Sequence, residues 1–187
     1  MGACGTADTL EALFEHQARR PAHLVPLDAA ALSPFERALL VANGTVTQFI
    51  ESYTGQPIEV VRLEQDACRV ADATWLQPEG DEPVVQRRVS LRGAVNGAEY
   101  VRAHSLLAVD RLPETVRLGL DARGSGLGRL MQRARLETFR ELLWFGGVPH
   151  GDGDVCPARA YRVWHDGRAL MLINEVLLPA CRGEGDA

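Results

Sequence analysis

The stretch from Arg168 to Leu178 constrains the fold more than any other part of this chain. Successive side chains on a strand point to opposite faces of a sheet. Met171, Ile173, Glu175 and Leu177 would share one face, and Leu170, Leu172, Asn174, Val176 and Leu178 the other. Both sets are mostly apolar, which predicts a central strand covered on each side. It follows Ala158 to His165 across Asp166-Gly167, a two-residue turn signal that makes the pair an antiparallel hairpin. Val84 to Gly93 and Ala98 to Val109 flank Asn96-Gly97 in the same way. Ile58 to Gln65 is rich in β-branched residues and reads as a further strand, as does Thr138 to Phe145.

The first third reads as helical. Asp8-Thr9-Leu10-Glu11 is a capping box for a helix over about residues 8–20, with Leu10, Leu13 and Phe14 on one face. Ser33-Pro34-Phe35-Glu36 is a second capping box with proline at the first helical position, and its helix runs to about Ala42. Thr45, with Gln48 three residues on, caps a short helix ending near Thr54-Gly55. A polar stretch containing Pro78, Gly80 and Pro83 reads as a surface loop. A short helical piece follows Pro113, and Gly124-Ser125-Gly126-Leu127-Gly128 leads into a helix reaching about Leu136. Helices first and hairpins later predict an α+β fold with a mainly antiparallel sheet. At 187 residues, with 46% hydrophobic and 24% charged side chains, the chain fits one soluble domain over 1–187, with the helix at 8–20 and the tail 182–187 peripheral.

A net charge of -5 argues against a nucleic-acid partner, although all 20 basic residues are arginine. Cys4, Cys68, Cys156 and Cys181 stand too far apart for a zinc signature or a dense disulfide framework, so free thiols in a reducing compartment are expected. No secretory signal and no apolar run long enough to span a bilayer is visible, which predicts a cytoplasmic protein without a membrane partner.

Two charges fall on faces that the pattern makes apolar. Glu175 sits among Met171, Ile173 and Leu177. Arg87 shares its face with Val85, Val89 and Leu91, whereas Gln86, Arg88, Ser90 and Arg92 form a set that reads as solvated. A carboxylate buried without a partner costs several kcal/mol, so Glu175 must be paired, protonated or beside a polar cavity. The pattern leaves two readings open: an Arg87–Glu175 structural bridge, or a polar pocket built for a ligand.

Arg87-Arg88-Val89-Ser90-Leu91, the Asn96-Gly97 hairpin, Gly126-Leu127-Gly128-Arg129 and Leu172-Ile173-Asn174-Glu175-Val176-Leu177-Leu178-Pro179 occur in the order found in chorismate pyruvate-lyases, and Gly44-Thr45-Val46-Thr47 also matches. The chain resembles that family, and its actinobacterial 4-hydroxybenzoate-forming branch most closely, over about residues 32 to 181. The resemblance implies helices covering an enclosed pocket on an antiparallel sheet, with no metal or organic cofactor. It implies a substrate-binding arginine at Arg87 and a glutamate facing the ring oxygen at Glu175. It also implies a wall formed near Val46 and Leu127, with the neighbouring Thr47 and Gly128. Asn174 stands where threonine is common, and Val46 where a bulkier methionine can occur. The motif leaves the arginine uncertain by one position, between Arg87 and Arg88, and parity favours Arg87.

The activity implied is elimination of pyruvate from chorismate to give 4-hydroxybenzoate. Arg87 would fork onto a carboxylate, and Glu175, in a protonated state, would donate toward the ether or ring oxygen. Two other readings keep the scaffold: a lyase or dehydratase acting on another carboxylated secondary metabolite, and a non-catalytic small-molecule-binding domain. The remaining features read as structural. The glycine-rich run lacks a P-loop ending. His104 is a lone strand histidine, and His150, Asp152 and Asp154 form a solvated turn. Trp75, Trp144 and Trp164 are scattered core residues, and Cys156 and Cys181 have no activating partner.

Overall fold

A computed structural model describes residues 6–68, 70–120, 122, 124, 126–151 and 153–182. The helices are α1 (Thr6–Glu11), α2 (Pro34–Val41), α3 (Val46–Thr54), α4 (Glu114–Gly119) and α5 (Leu127–Arg133). The strands are β1 (Ile58–Cys68), β2 (Val84–Gly93), β3 (Glu99–Ala108), β4 (Phe139–His150), β5 (Asp154–His165) and β6 (Arg168–Leu177). They form one six-stranded antiparallel sheet in the order β1-β2-β3-β6-β5-β4, which places β6 centrally, as its two apolar faces require. The fold class is the α+β class expected from the sequence.

The two sheet faces are covered differently. Residues of α2 and α3 pack with Leu91, Val101, Phe145 and Leu177, and α4 and α5 pack with Leu107, Tyr161, Met171 and Ile173. The opposite face, with Leu106, Trp144, Ala160 and Leu172, lies against Ala73 and Leu76 of a short 3-10 segment, Val70–Leu76, and against Leu24. This segment precedes the expected loop, which runs through Pro78, Gly80 and Pro83 without helix or strand, and Ala73 and Leu76 close a face that the helices leave open. No helix among the described residues is long and apolar enough to cross a membrane.

The helix expected over about residues 8–20 is α1 alone, ending at Glu11. Beyond it the chain runs along the outer edge of β4. The Glu15 and His16 amides donate to the Leu142 and Leu143 carbonyls at 2.9 Å, and Val25 and Gly147 exchange two hydrogen bonds of 2.9 Å. The Gln17 side-chain amide serves both the carbonyl and the N–H of Phe145, at 3.0 and 2.9 Å. An edge strand presents unpaired donors and acceptors, and here a local helix is given up to cover them. Gly146 makes the crossing possible: a Cβ there would lie 2.8 Å from Arg20 Cδ and 3.1 Å from the Val25 carbonyl.

The strands are also longer than their sequence signals. β4 continues through Gly146, Gly147 and Pro149, and β5 begins at Asp154 and includes Pro157. Pro157 is tolerated because β5 pairs with β6 only from Ala158 onward, so no partner on that side needs its missing donor. Asp166 and Gly167 close the last hairpin with φ of 46° and 72°, as a two-residue mirror-image turn demands. The Asn96-Gly97 turn is longer than expected: the Gly93 N–H donates to the Ala98 carbonyl and the Gly97 N–H to the Gly93 carbonyl, both at 2.9 Å. Ser90, expected to be solvated, is fully buried and donates to Glu99 at 2.6 Å. The capping box at Ser33 and Glu36 is present as expected, whereas Thr45 precedes α3 without a side-chain cap.

The three tryptophans converge on the face away from the helices. Trp75 and Trp144 meet edge to face at 4.9 Å, and the Arg162 guanidinium lies 5.6 Å from the Trp75 ring and 4.9 Å from the Trp164 ring. Arg162 forks onto Glu141 at 2.7 and 2.6 Å, and the Trp164 indole donates to the same carboxylate at 2.7 Å. Burial alone would raise the Glu141 pKa, but the hydrogen bonds from Arg162 and Trp164 outweigh it and hold the group below its ordinary 4.5. Glu82 is likewise held low, chiefly by its hydrogen bond from Arg111.

Carboxylates with depressed folded-state pKa values stabilise fully above the ordinary carboxylate value and lose that contribution as pH falls through the depressed one. The thermal midpoint should therefore be flat from pH 7 to about 5 and fall below about 4. Glu141→Gln, which strands Arg162, should cost about 3–5 kcal/mol at pH 7 and flatten the acid decline. Thermal melts across pH check this, and an unchanged acid limb in the variant would contradict it.

Candidate active site

Residues directly opposite one another in paired strands share a face of the sheet. Glu175 on β6 lies opposite Ala103 on β3 and Arg159 on β5. Arg159 Nε donates to Glu175 Oε2 at 2.8 Å, and its Nη1 donates to the Leu40 and Ala42 carbonyls at 3.0 Å each. Those carbonyls belong to the last turn and C-cap of α2, where helical acceptors have no partner within the helix and the dipole favours a cation. Tyr161, two residues along β5, donates its hydroxyl to Glu175 Oε1 at 3.1 Å. Its ring lies 4.8 Å from the Arg159 guanidinium. Both oxygens of Glu175 are therefore oriented before any ligand arrives.

Charge accounting explains the arrangement. Arg159 is 1% exposed and Glu175 6%. Burial opposes the Arg159 charge, but Glu175 overcompensates and raises its pKa. The Tyr161 hydroxyl is pushed well above its ordinary value by burial first and then by the facing carboxylate, so it remains a donor. A buried guanidinium requires an anionic counterpart, and Glu175 supplies it. Glu175 is thus paired with Arg159, and its two oxygens accept from Arg159 and Tyr161.

Arg87 on β2 lies opposite Ser105 on β3, and Ser105 lies opposite Ile173 on β6. This row shares the Glu175 face. Arg87 is 2% exposed, whereas Arg88 turns to solvent and pairs with Glu64 at 2.7 Å. The choice between the two is thereby settled sterically: Arg87 is the arginine that faces the helices.

Between this face and the helix layer is a cavity of about 70 Å³. Arg87, Glu175, Val46, Thr47, Leu127 and Gly128, the six residues singled out by sequence, all line it. Val46 and Thr47 are the first residues of α3, and Leu127 and Gly128 the first of α5. Gly128 lets the two helix starts abut, since a Cβ there would lie 2.7 Å from Thr45 Cγ2. Ile173, Met131 and Val89 supply apolar lining. Charged anchors at chosen points on an otherwise greasy wall suit a small anion with an apolar body.

Three lining or supporting residues carry no clear sequence signal. Arg159 and Arg162 lie on opposite parities of one strand, so alternation does not say which faces inward. Arg140 points into the cavity while its neighbour Phe139 is 60% exposed, the reverse of the hydropathic expectation. Tyr161 reads as ordinary core.

The features read as structural keep that character. His104 is on the face away from the cavity, with a pKa lowered by burial and then by Arg88. Asp154 pairs with Arg182 at 3.1 Å, and Asp152 and Ser125 lie outside the described residues, as does Cys4. Glu15, His16 and Glu141 bring ligand atoms within 4.8 Å of one another, but Arg162 and Trp164 already engage both Glu141 oxygens. Cys156 and Cys181 are buried free thiols.

Comparison with known proteins agrees with this architecture. The family model described as Chorismate pyruvate-lyase Rv2949c-like matches residues 40–182. Chorismate pyruvate-lyase from Mycobacterium tuberculosis is 30% identical over 156 residues, covering 76% of this chain and 78% of that protein. The enzyme of the same name from Mycobacterium leprae is 29% identical over 157 residues, covering 76% and 73%. Among solved structures, PhnF from Mycobacterium smegmatis superposes with a TM-score of 0.58 at 12% identity, over 76% of this chain and 67% of that one. Gene product SA0254 from Staphylococcus aureus gives 0.54 at 12% identity, over 73% and 89%. At such identity the solved structures establish the fold alone. The family match spans α2's end to the last 3-10 turn and contains every residue of the cavity described above, so the chain belongs to the chorismate pyruvate-lyase family.

Proposed function

We propose that this protein eliminates pyruvate from chorismate to form 4-hydroxybenzoate, with the chain's own residues and no metal or organic cofactor. The observation that carries the reading is the presence of Arg87 and Glu175 in one buried cavity, with Glu175 already oriented by Arg159 and Tyr161.

The chemistry asks little covalent help. In chorismate the hydrogen on C4 and the enolpyruvyl oxygen on C3 are eliminated across one ring bond. The C4–H electrons form the double bond that completes the aromatic ring, the C3–O bond breaks, and its electron pair goes to the enolpyruvate oxygen. The methylene carbon of the released enolate takes up a proton and becomes the methyl of pyruvate, so the reaction is redox-neutral. Arg87 offers a planar fork to the ring carboxylate. Glu175 accepts a hydrogen bond from the C4 hydroxyl and is placed to collect the C4 proton and return it to the leaving enolate. The starts of α3 and α5, at Val46, Thr47, Leu127 and Gly128, close the cavity against water and hold the ring for reaction. The substrate is a small carboxylate, and neither nucleic acid nor membrane takes part.

The buried pair sets the design of the mutational test. Glu175→Gln leaves Arg159 charged without a counterion and should cost about 3–5 kcal/mol of stability. The double variant Glu175→Gln/Arg159→Met removes both charges and should regain part of that stability, short of the wild type because the Leu40 and Ala42 carbonyls lose their donor, while turnover stays about 100-fold or more below wild type. Chemical denaturation and pyruvate release, measured together, check both halves. A stable double variant with wild-type rates would remove Glu175 from the reaction.

Purified protein given chorismate alone should release pyruvate and 4-hydroxybenzoate in equal amounts. Arg87→Ala should raise KM roughly 30-fold or more with a smaller change in kcat. Tight binding of chorismate without turnover would contradict the lyase reading and favour a binding module.

A further inference from the structure

We infer that Arg140 is a second carboxylate clamp in the same cavity, binding the enolpyruvyl carboxylate of the substrate while Arg87 binds the ring carboxylate; this rests on the chorismate reading above.

Arg140 is on β4, two residues before Leu142, which lies opposite Tyr161 of β5. Its side chain thus falls on the Glu175 face and lines the cavity. Two contacts fix its head group: Nη1 donates to the Asn43 carbonyl at 2.5 Å, and the guanidinium lies 5.9 Å from the Tyr161 ring centroid. Neither contact neutralises its charge. Among the described residues no carboxylate forms an ion pair with Arg140, and its buried Nε has no hydrogen-bond acceptor. A buried donor is ordinarily satisfied, and this one faces a cavity argued to receive an anion.

The strand order gives the geometry its meaning. β2, carrying Arg87, and β4, carrying Arg140, lie on opposite sides of β6, which carries Glu175. They are four strand spacings apart, roughly 19 Å at the backbone. Two long side chains reaching inward close most of that gap above the Glu175 carboxylate. A compact ring bearing an anion at each end would fit between them with its hydroxyl toward Glu175. Arg159 and Glu175 are paired with each other, so Arg140 brings a further cation to the cavity wall for the second carboxylate of a dianion.

The inference separates substrate from product. Chorismate has two carboxylates, and 4-hydroxybenzoate keeps only the ring one. Loss of pyruvate therefore releases the Arg140 end and leaves the product held by Arg87 and Glu175. Arg140 is a specificity and substrate-binding residue, not a proton carrier.

The test compares KM for chorismate with Kd for 4-hydroxybenzoate in the full-length protein. Arg140→Met should raise KM roughly 30-fold or more while the Kd of 4-hydroxybenzoate changes by no more than about twofold. Arg140→Lys keeps the charge but loses the fork, and should give an intermediate KM with the fold preserved. Arg87→Ala should weaken both ligands. An unchanged KM in both Arg140 variants, or an equal loss of chorismate and 4-hydroxybenzoate affinity, overturns the inference while an active wild type leaves the lyase reading standing. Wild-type protein inert toward chorismate overturns both.

Discussion

The Arg159–Glu175 ion pair joins the sheet, the helix layer and the cavity. Its two side chains come from neighbouring central strands, and Arg159 also holds the Leu40 and Ala42 carbonyls at the end of α2. One guanidinium thus fixes where α2 stops, how that end seats on β5, and which way Glu175 faces. The cost of burying two charges is offset by the partners that Arg159 Nε and Nη1 and both Glu175 oxygens meet, Tyr161 among them. An apolar pair of similar volume could replace the attraction between the two charges, but it would leave the Leu40 and Ala42 carbonyls without this donor. It would also not supply an oriented carboxylate on the cavity wall.

The rest of the fold protects that chamber by treating the two faces and two edges of the sheet unequally. Helices α2 to α5 all lie on the cavity face, and the starts of α3 and α5 form one wall. The other face is closed by the 3-10 segment with Ala73 and Leu76 and by the tryptophan–Arg162–Glu141 cluster. The chain following α1 is spent along the edge of β4, where it satisfies backbone groups that would otherwise be open. That edge carries Arg140, so covering it also steadies one end of the cavity.

Much of this is legible in the residues. The two-sided apolar pattern places β6 at the centre, alternation turns Arg87 rather than Arg88 inward, and Asp166-Gly167 announces the last hairpin. Family resemblance adds the helix starts at Val46 and Leu127. The ion pair itself is hidden by a single bulge. A two-residue turn pairing His165 with Arg168 and Trp164 with Ala169 would, carried on, set Arg159 opposite Asn174. A shift after Val163 sets it opposite Glu175 instead, and one residue of slip moves a side chain to the other face. Bulges have no reliable composition, so local pattern cannot supply that step. Edge pairing of the segment after α1 is equally invisible, because it depends on a strand more than a hundred residues away.

The central claim is that Arg87 and Glu175 grip opposite ends of one small aromatic acid inside this chamber. A crystal structure of the protein with 4-hydroxybenzoate tests it most directly. The account predicts the ligand carboxylate on the Arg87 fork and the phenolic oxygen within hydrogen-bond distance of Glu175, with Arg159 and Tyr161 still on that carboxylate. A ligand bound outside the cavity, or lying with its carboxylate away from Arg87, would contradict it.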